Sequence, residues 1–400
     1  MLHRLRPLLL VLVLLVACDG GPGTPNHTGG SVATQRPDLA VLPGAVRRDR
    51  ANVFISGHSL TDQPMPDFLA RVANSLDTPL RWNRQNVGAS SLRDRTRGMK
   101  LDEPGWSGYR LGANREGERM DVVTELRRPM TIGSQHYDAL LVTELNGLLY
   151  SLFDLDAVRY LRHFHERLIE GNPEGQTYFY EPWTGLDSKA DPTRWIAYER
   201  NASRVWQCMA TRVNVSLTAE GRRDRIASMP GGWMMAALVE QATQGMGLSG
   251  ITGTSVRDTL DRLFSDDVHL TPLGNYYIAL ITYVSLSGRS PLGAWAPEGI
   301  SPAQAASLQQ FAWVTLAEYR ANNNPLDLES CRKVLKEGFI WQFWAYSRDY
   351  PTKDALSKLR GYWRSIRNSF SNHWQVRRNN GSNPFYFDAA TDKDYWFPAP

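Results

Sequence analysis

Between about residue 50 and residue 290, short apolar runs alternate with stretches whose apolar positions recur every three or four residues. Asn52–Ser56, Leu80–Val87, Tyr137–Thr143, Thr177–Tyr180 and Ile226–Met229 read as strands. Arg81 and Arg84 interrupt the second of them, which suits an edge position. Helical periodicity covers Asp62–Leu76, with Phe68, Leu69, Val72 and Leu76 on one face. It also covers Asp154–Glu170, with Val158, Leu161, Leu168 and Ile169 inward, and Pro192–Val213. Thr271-Pro272 opens a further helix to Leu286, with Thr as N-cap and Pro in the first helical position. This alternation predicts a parallel sheet covered on both faces, with chemistry at the carboxyl ends of the strands.

Two segments depart from the rhythm. Residues 93–136 form a long insertion rich in Arg, Gly and Glu. Beyond residue 290 the chain is Trp-rich and helical, with Ser301-Pro302 starting a helix to about Arg320. Thr352–Phe370 predicts another. Leu356, Leu359, Trp363, Ile366 and Phe370 share the side expected to pack inward; Lys353, Lys358, Arg360, Arg364 and Arg367 make the other side basic. The Trp and Tyr rings serve either as core or as platforms for sugar rings. Trp106 and Tyr109, inside the insertion, are the first candidates to contact a substrate. His163 shares a helical face with Arg159, Glu166 and Glu170 and is expected in solvent.

Composition narrows the function classes. With 42% hydrophobic and 22% charged residues, the 400-residue chain is neither collagen-like, coiled-coil nor wholly disordered. Forty-five Lys and Arg against 41 Asp and Glu give a net charge of +4, too even to suggest nucleic acid as the partner. Three Cys make neither a disulfide scaffold nor a zinc cluster, and no residue set reads as a metal site or requires a cofactor.

Arg4 and Arg6 followed by the apolar run Leu8–Ala17 predict a secretory signal over residues 1–17. Its end, Leu15-Val16-Ala17-Cys18, resembles a bacterial lipobox. That resemblance implies cleavage before Cys18, lipidation of Cys18 and a chain anchored to a membrane of the cell envelope, facing the periplasm or exterior. Residues 18–48 begin Gly- and Pro-rich and read as a flexible tether. Cys208 and Cys331 remain, either as a disulfide or as two buried thiols.

Four short blocks carry chemistry, each just after a strand or just before the helix that Thr271 opens. Gly57-His58-Ser59-Leu60 puts a Ser hydroxyl at a strand-to-helix turn. Asp266-Asp267-Val268-His269 sets a carboxylate three residues before an imidazole, close enough to fix its tautomer. Gly88 and Asn146 are a backbone donor and a side-chain amide donor of the kind that holds an oxyanion. In this order the blocks resemble the SGNH hydrolases, the GDSL esterase/lipase family. Ser59, Gly88 and Asn146 match its Ser, Gly and Asn blocks, and Asp266 with His269 its Asp-x-x-His. Two positions depart: His58 stands where the family has Asp, and Glu144-Leu145-Asn146-Gly147 replaces Gly-x-Asn-Asp. Glu144 either shapes the pocket floor or is solvated.

The resemblance implies a three-layer α/β/α sandwich with a five-stranded parallel sheet over residues 49–290, and a mostly helical extension over 291–400. It implies a serine esterase with Ser59, Asp266 and His269 as triad. The Ser59 and Gly88 N–H groups and the Asn146 amide would make the oxyanion hole. An acylated, above all acetylated, glycan is the expected substrate. An O-acetyltransferase, a lipase-like esterase and a non-catalytic glycan-binding protein remain alternatives. Oligomeric state is not legible.

Overall fold

The structure is a computed structural model that describes residues 50–100, 105–128, 135–349 and 355–399. The expected signal, Cys18 and the tether lie outside the described residues, as do Lys353 and the side chains of Leu356, Lys358 and Leu359.

Five parallel strands run in the order β2-β1-β3-β4-β5: β1 (Ala51–Gly57), β2 (Leu80–Asn86), β3 (Ala139–Thr143), β4 (Gln176–Tyr180) and β5 (Ile226–Met229). Every residue of β1 and β3 is buried, because helices cover both faces of these inner strands. β2 lies at the edge, where Arg81 can point to solvent. Its Trp82 packs inward.

The helices are α1 (Met65–Ser75), α2 (Leu92–Thr96), α3 (Val122–Arg127), α4 (Leu148–Phe153), α5 (Ala157–Gly171), α6 (Thr193–Ala219), α7 (Gly231–Thr243), α8 (Val256–Leu263) and α9 (Pro272–Ser287). The C-terminal region adds α10 (Pro302–Asn322), α11 (Leu328–Val334), α12 (Ile340–Asp349) and α13 (Ala355–Val376). α1 packs on α9, while α5 lies against β3 and β4 beside α6. These pairs form the two outer layers of the α/β/α sandwich. The right-handed sense of parallel crossovers puts them on opposite faces. α1 starts three residues later than its periodicity suggests, after a 3₁₀ turn at Ser59–Thr61, with Pro64 as its N-cap. α9 begins as expected: the Thr271 hydroxyl accepts from the Gly274 N–H and Pro272 holds the first turn. Ser301 and Gln304 close a capping box at α10.

Ala40–Pro400 is one compact unit, so the C-terminal helices build on the sheet layers. α10 packs on α9 and α7, and α11 on α6. A disulfide joins Cys208 of α6 to Cys331 of α11, with Cα atoms 5.8 Å apart.

α13 reverses the expected orientation. Among its described side chains Ser365, Ser369, Asn372 and Val376 are buried; α12 packs on α13, and the Trp344 indole of α12 donates to Asn372 Oδ1 at 2.8 Å. Trp363 and Phe370, predicted inward, are 65% and 63% exposed. Periodicity locates two faces on a helix, but the polar partner that α12 offers selects the small polar one for burial.

Candidate active site

The strand order reverses direction between β1 and β3, so the crevice at their carboxyl ends is the switch point where ligands of such sheets bind. β1 ends at Gly57. A Cβ there would stand 1.8 Å from Thr61 Oγ1 and 3.2 Å from the Thr143 side chain, so only glycine lets the chain turn this tightly. The turn leaves Ser59 exposed.

The imidazole arrives from the other end of the chain. Phe264 and Leu270 bridge across the loop that carries His269, and the Ser265 N–H donates to the His269 carbonyl at 2.9 Å. Trp183 Nε1 donates to Val268 O, and the Leu186 N–H to Asp267 O, both at 2.8 Å. These contacts pin the loop to the segment after β4. One Asp266 oxygen accepts from the Val268 and His269 N–H groups at 2.7 and 2.6 Å; the other lies 2.7 Å from His269 Nδ1. Burial pushes the Asp266 carboxyl up, but the hydrogen bonds from the His269 ring and these backbone groups outweigh it and hold it below its ordinary value. With Asp266 accepting a hydrogen bond from Nδ1–H, Nε2 carries the free lone pair, and it stands 3.0 Å from Ser59 Oγ. Ser59, His269 and Asp266 thus form one hydrogen-bonded chain, open to solvent.

Next to Ser59 in the chain begins a buried polar cluster of His58, Glu144 and Arg95. His58 is buried; its Nε2 lies 2.9 Å from the Glu144 carbonyl, which can only accept, so the proton sits on Nε2. Burial first, and the charge of Arg95 second, push the His58 pKa down to about 4, so the ring is neutral. The Glu144 carboxyl is fully buried and accepts from the Leu92 and Leu145 N–H groups at 3.1 and 2.6 Å. Burial raises its pKa to about 7 against the pull of Arg95 and these donors. Glu144 is not a solvated loop residue, since no part of it meets solvent.

Arg95 was not among the expected site residues. Its guanidinium, wholly buried, donates to Ser56 Oγ at 3.1 Å, to Ser90 O and Oγ at 2.7 and 2.8 Å, and to the Thr143 carbonyl. It ties the ends of β1 and β3 to the loop after β2. Gln85 completes the tie, accepting from Ser56 Oγ and donating to the Arg95 and Gly108 carbonyls. Arg95 sits in an Arg-rich insertion, and nothing in its local pattern marks it for burial.

Gly88 and Asn146 lie at this same edge, in the loops after β2 and β3. Gly88 is exposed, with open space where a Cβ would be. Asn146 is half-buried. Trp106 and Tyr109 do not form an open aromatic wall. Tyr109 is buried, and its hydroxyl donates to His163 Nδ1 at 2.7 Å, while His163 Nε2 donates to the Pro398 carbonyl. Trp106 stacks on the His163 ring at 3.7 Å and meets Phe397 edge-on. His163 is therefore a core residue, neutral because burial pushes its pKa down to about 3, and not the solvated side chain expected. The partners that bury it come from the insertion and the C-terminus, out of reach of any pattern within α5.

No family model matches the chain, and no curated protein does. A solved structure of a DUF4886 family protein from Bacteroides uniformis is similar at 16% identity, with a TM-score of 0.46, over 69% of this chain and 98% of that one. At that level of likeness the site stands on this chain's own residues.

Proposed function

We propose that this chain is a serine ester hydrolase working through an acyl-Ser59 intermediate. The observation that carries the reading is the Ser59–His269–Asp266 chain at the switch point of a parallel sheet, with Nε2 aimed at Oγ. His269 takes the Ser59 proton as Oγ attacks the ester carbonyl, then returns it to the leaving alkoxide. Asp266 orients the ring and stabilises the imidazolium. The N–H groups of Ser59 and Gly88 and the amide of Asn146 are the proposed oxyanion donors. Water attacks the acyl-enzyme with His269 as base.

The open position of Ser59 and His269 favours a small acyl group carried on a large molecule over a long chain swallowed by a deep pocket. An acetylated glycan of the cell envelope fits that description. The same openness admits a sugar hydroxyl as acyl acceptor, which makes a polysaccharide O-acetyltransferase the second reading. Ser59→Ala is expected to lower turnover of a nitrophenyl acetate by about 10⁴-fold or more while the fold survives. A serine-reactive phosphonate is expected to label Ser59 alone. Near-native turnover in Ser59→Ala would refute the mechanism, and fatty-acid release outpacing acetate release would refute the substrate class.

A further inference from the structure

The outward face of α13 has no partner among the described residues. Trp363, Phe370 and Trp374 lie at seven- and four-residue spacing, one stripe along a helix, and are 65%, 63% and 57% exposed. Trp341 of α12 extends the stripe, meeting Phe370 edge-on with ring centroids 5.7 Å apart. Large aromatic rings in water at this density are costly unless something covers them.

The same stretch of chain is strongly basic, and Arg360, Arg364 and Arg367 are exposed alongside the aromatic stripe, not opposite it as expected. Between Ala355 and Phe387 the chain carries Lys358, Arg360, Arg364, Arg367, Arg377 and Arg378 and no acidic residue. Among the described residues no carboxylate pairs with Arg360, Arg364 or Arg367, whereas arginines such as Arg84, Arg127, Arg162 and Arg222 are ion-paired. Arg378 lies over the Trp374 ring at 3.4 Å. Where α12 meets α13, a cavity of about 410 Å³ is lined by Trp344, Ser347, Arg348, Arg360, Arg364 and Ser365. Three guanidiniums and two hydroxyls around one cavity fit a phosphate group.

We infer that this face docks on an anionic phospholipid bilayer. The aromatic rings would sit at headgroup depth, flanking arginines would pair with phosphates, and the cavity would take one headgroup. Charge complementarity selects this occupant: a neutral apolar partner would leave the arginines desolvated and unpaired. No described helix is long and apolar enough to cross a membrane, so the contact is interfacial. The inference does not depend on acylation at Cys18 or on catalysis at Ser59.

The test uses protein lacking residues 1–18, which retains the whole compact unit Ala40–Pro400. It is floated with vesicles of phosphatidylglycerol mixed into phosphatidylcholine, and with vesicles of phosphatidylcholine alone. Binding is expected to the first, with a blue shift of Trp fluorescence, and to weaken as salt rises. Arg360→Gln with Arg364→Gln is expected to weaken binding roughly thirtyfold, at about fivefold per arginine. Trp363→Ser with Trp374→Ser is expected to abolish the blue shift. The unfolding midpoint, read in parallel, checks that each variant is folded. Absence of binding to the anionic vesicles, or equal binding by the variants, would overturn the inference. So would binding to a soluble acidic polysaccharide in preference to vesicles, or a lipid-free dimer abolished by the same substitutions.

Discussion

Replacing Arg95 by Met keeps the bulk of the side chain and removes its charge and all its donors. The guanidinium holds the carbonyls of Ser90 and Thr143 and the hydroxyls of Ser56 and Ser90 in an interior with no solvent access. Ser56 and Ser90 already donate elsewhere, to Gln85 and to the Val87 carbonyl, so each hydroxyl loses an acceptor role only. Leaving the two carbonyls short of a donor costs roughly 1–3 kcal/mol each. The variant is relieved of burying a cation, an opposing effect of several kcal/mol, but Glu144 loses the charge that favours its ionised form. A buried charge network broken on one side loses about 3–5 kcal/mol, and that is the expected destabilisation in urea unfolding at neutral pH. The loss should grow as pH rises through the range where Glu144 ionises, because its carboxylate then stands without a counter-charge. Arg95→Met with Glu144→Gln should cost less than the sum of the single changes, a coupling of about 1 kcal/mol or more. Turnover should fall as well, since the loop bearing Gly88 is tied down by the same side chain. A single variant within about 1 kcal/mol of the native protein, or strict additivity with Glu144→Gln, would refute the argument.

Asp266→Asn should leave the fold intact and lower esterase turnover on the order of 10⁴-fold, because Asn can donate to Nδ1 and so favours the wrong tautomer; the assay is steady-state hydrolysis of a nitrophenyl ester. The Cys208–Cys331 bridge closes a loop with a sequence separation of 123, worth about 5 kcal/mol in the chain-entropy model. Reduction of the native protein should lower its stability by up to that amount in urea titrations, and Cys331→Ala should lose the redox dependence. Glu181, buried at the end of β4, has its pKa raised to about 7 by burial, against hydrogen bonds from Ser203 and Ser228. Between pH 4.5 and 7 the native state holds this proton and the unfolded chain does not, so stability should fall as pH rises through that window by up to about 3 kcal/mol. Unfolding of Glu181→Gln at pH 5 and pH 8 should show a smaller difference than the native protein does.

Local order along the chain determined much of this molecule. Apolar runs such as Val53-Phe-Ile55 and Leu140-Leu-Val142 become strands because a central parallel strand is buried on both faces, and a continuous apolar run is the only pattern that suits it. Thr271-Pro272 and Ser301-Pro302 start helices because cap and first turn are satisfied within four residues. The contact of Asp266 with His269 is legible for the same reason: both lie in one loop, three residues apart. The approach of His269 to Ser59 spans 210 residues and was suggested only by the order of blocks resembling a family. What tertiary structure alone decided is which surface each side chain meets. Arg95 lies in an Arg-rich insertion and Glu144 has two readings open, and both are buried because loops after three different strands converge there. His163 and Tyr109 find each other 54 residues apart. On α13 the sequence shows an aromatic stripe and a small polar stripe, and it cannot say which one a neighbour will take. α12 presents the Trp344 indole, a hydrogen-bond donor that needs an acceptor, so Asn372 goes inward and the aromatics face out. Periodicity is a property of one helix, but burial is a property of the pair.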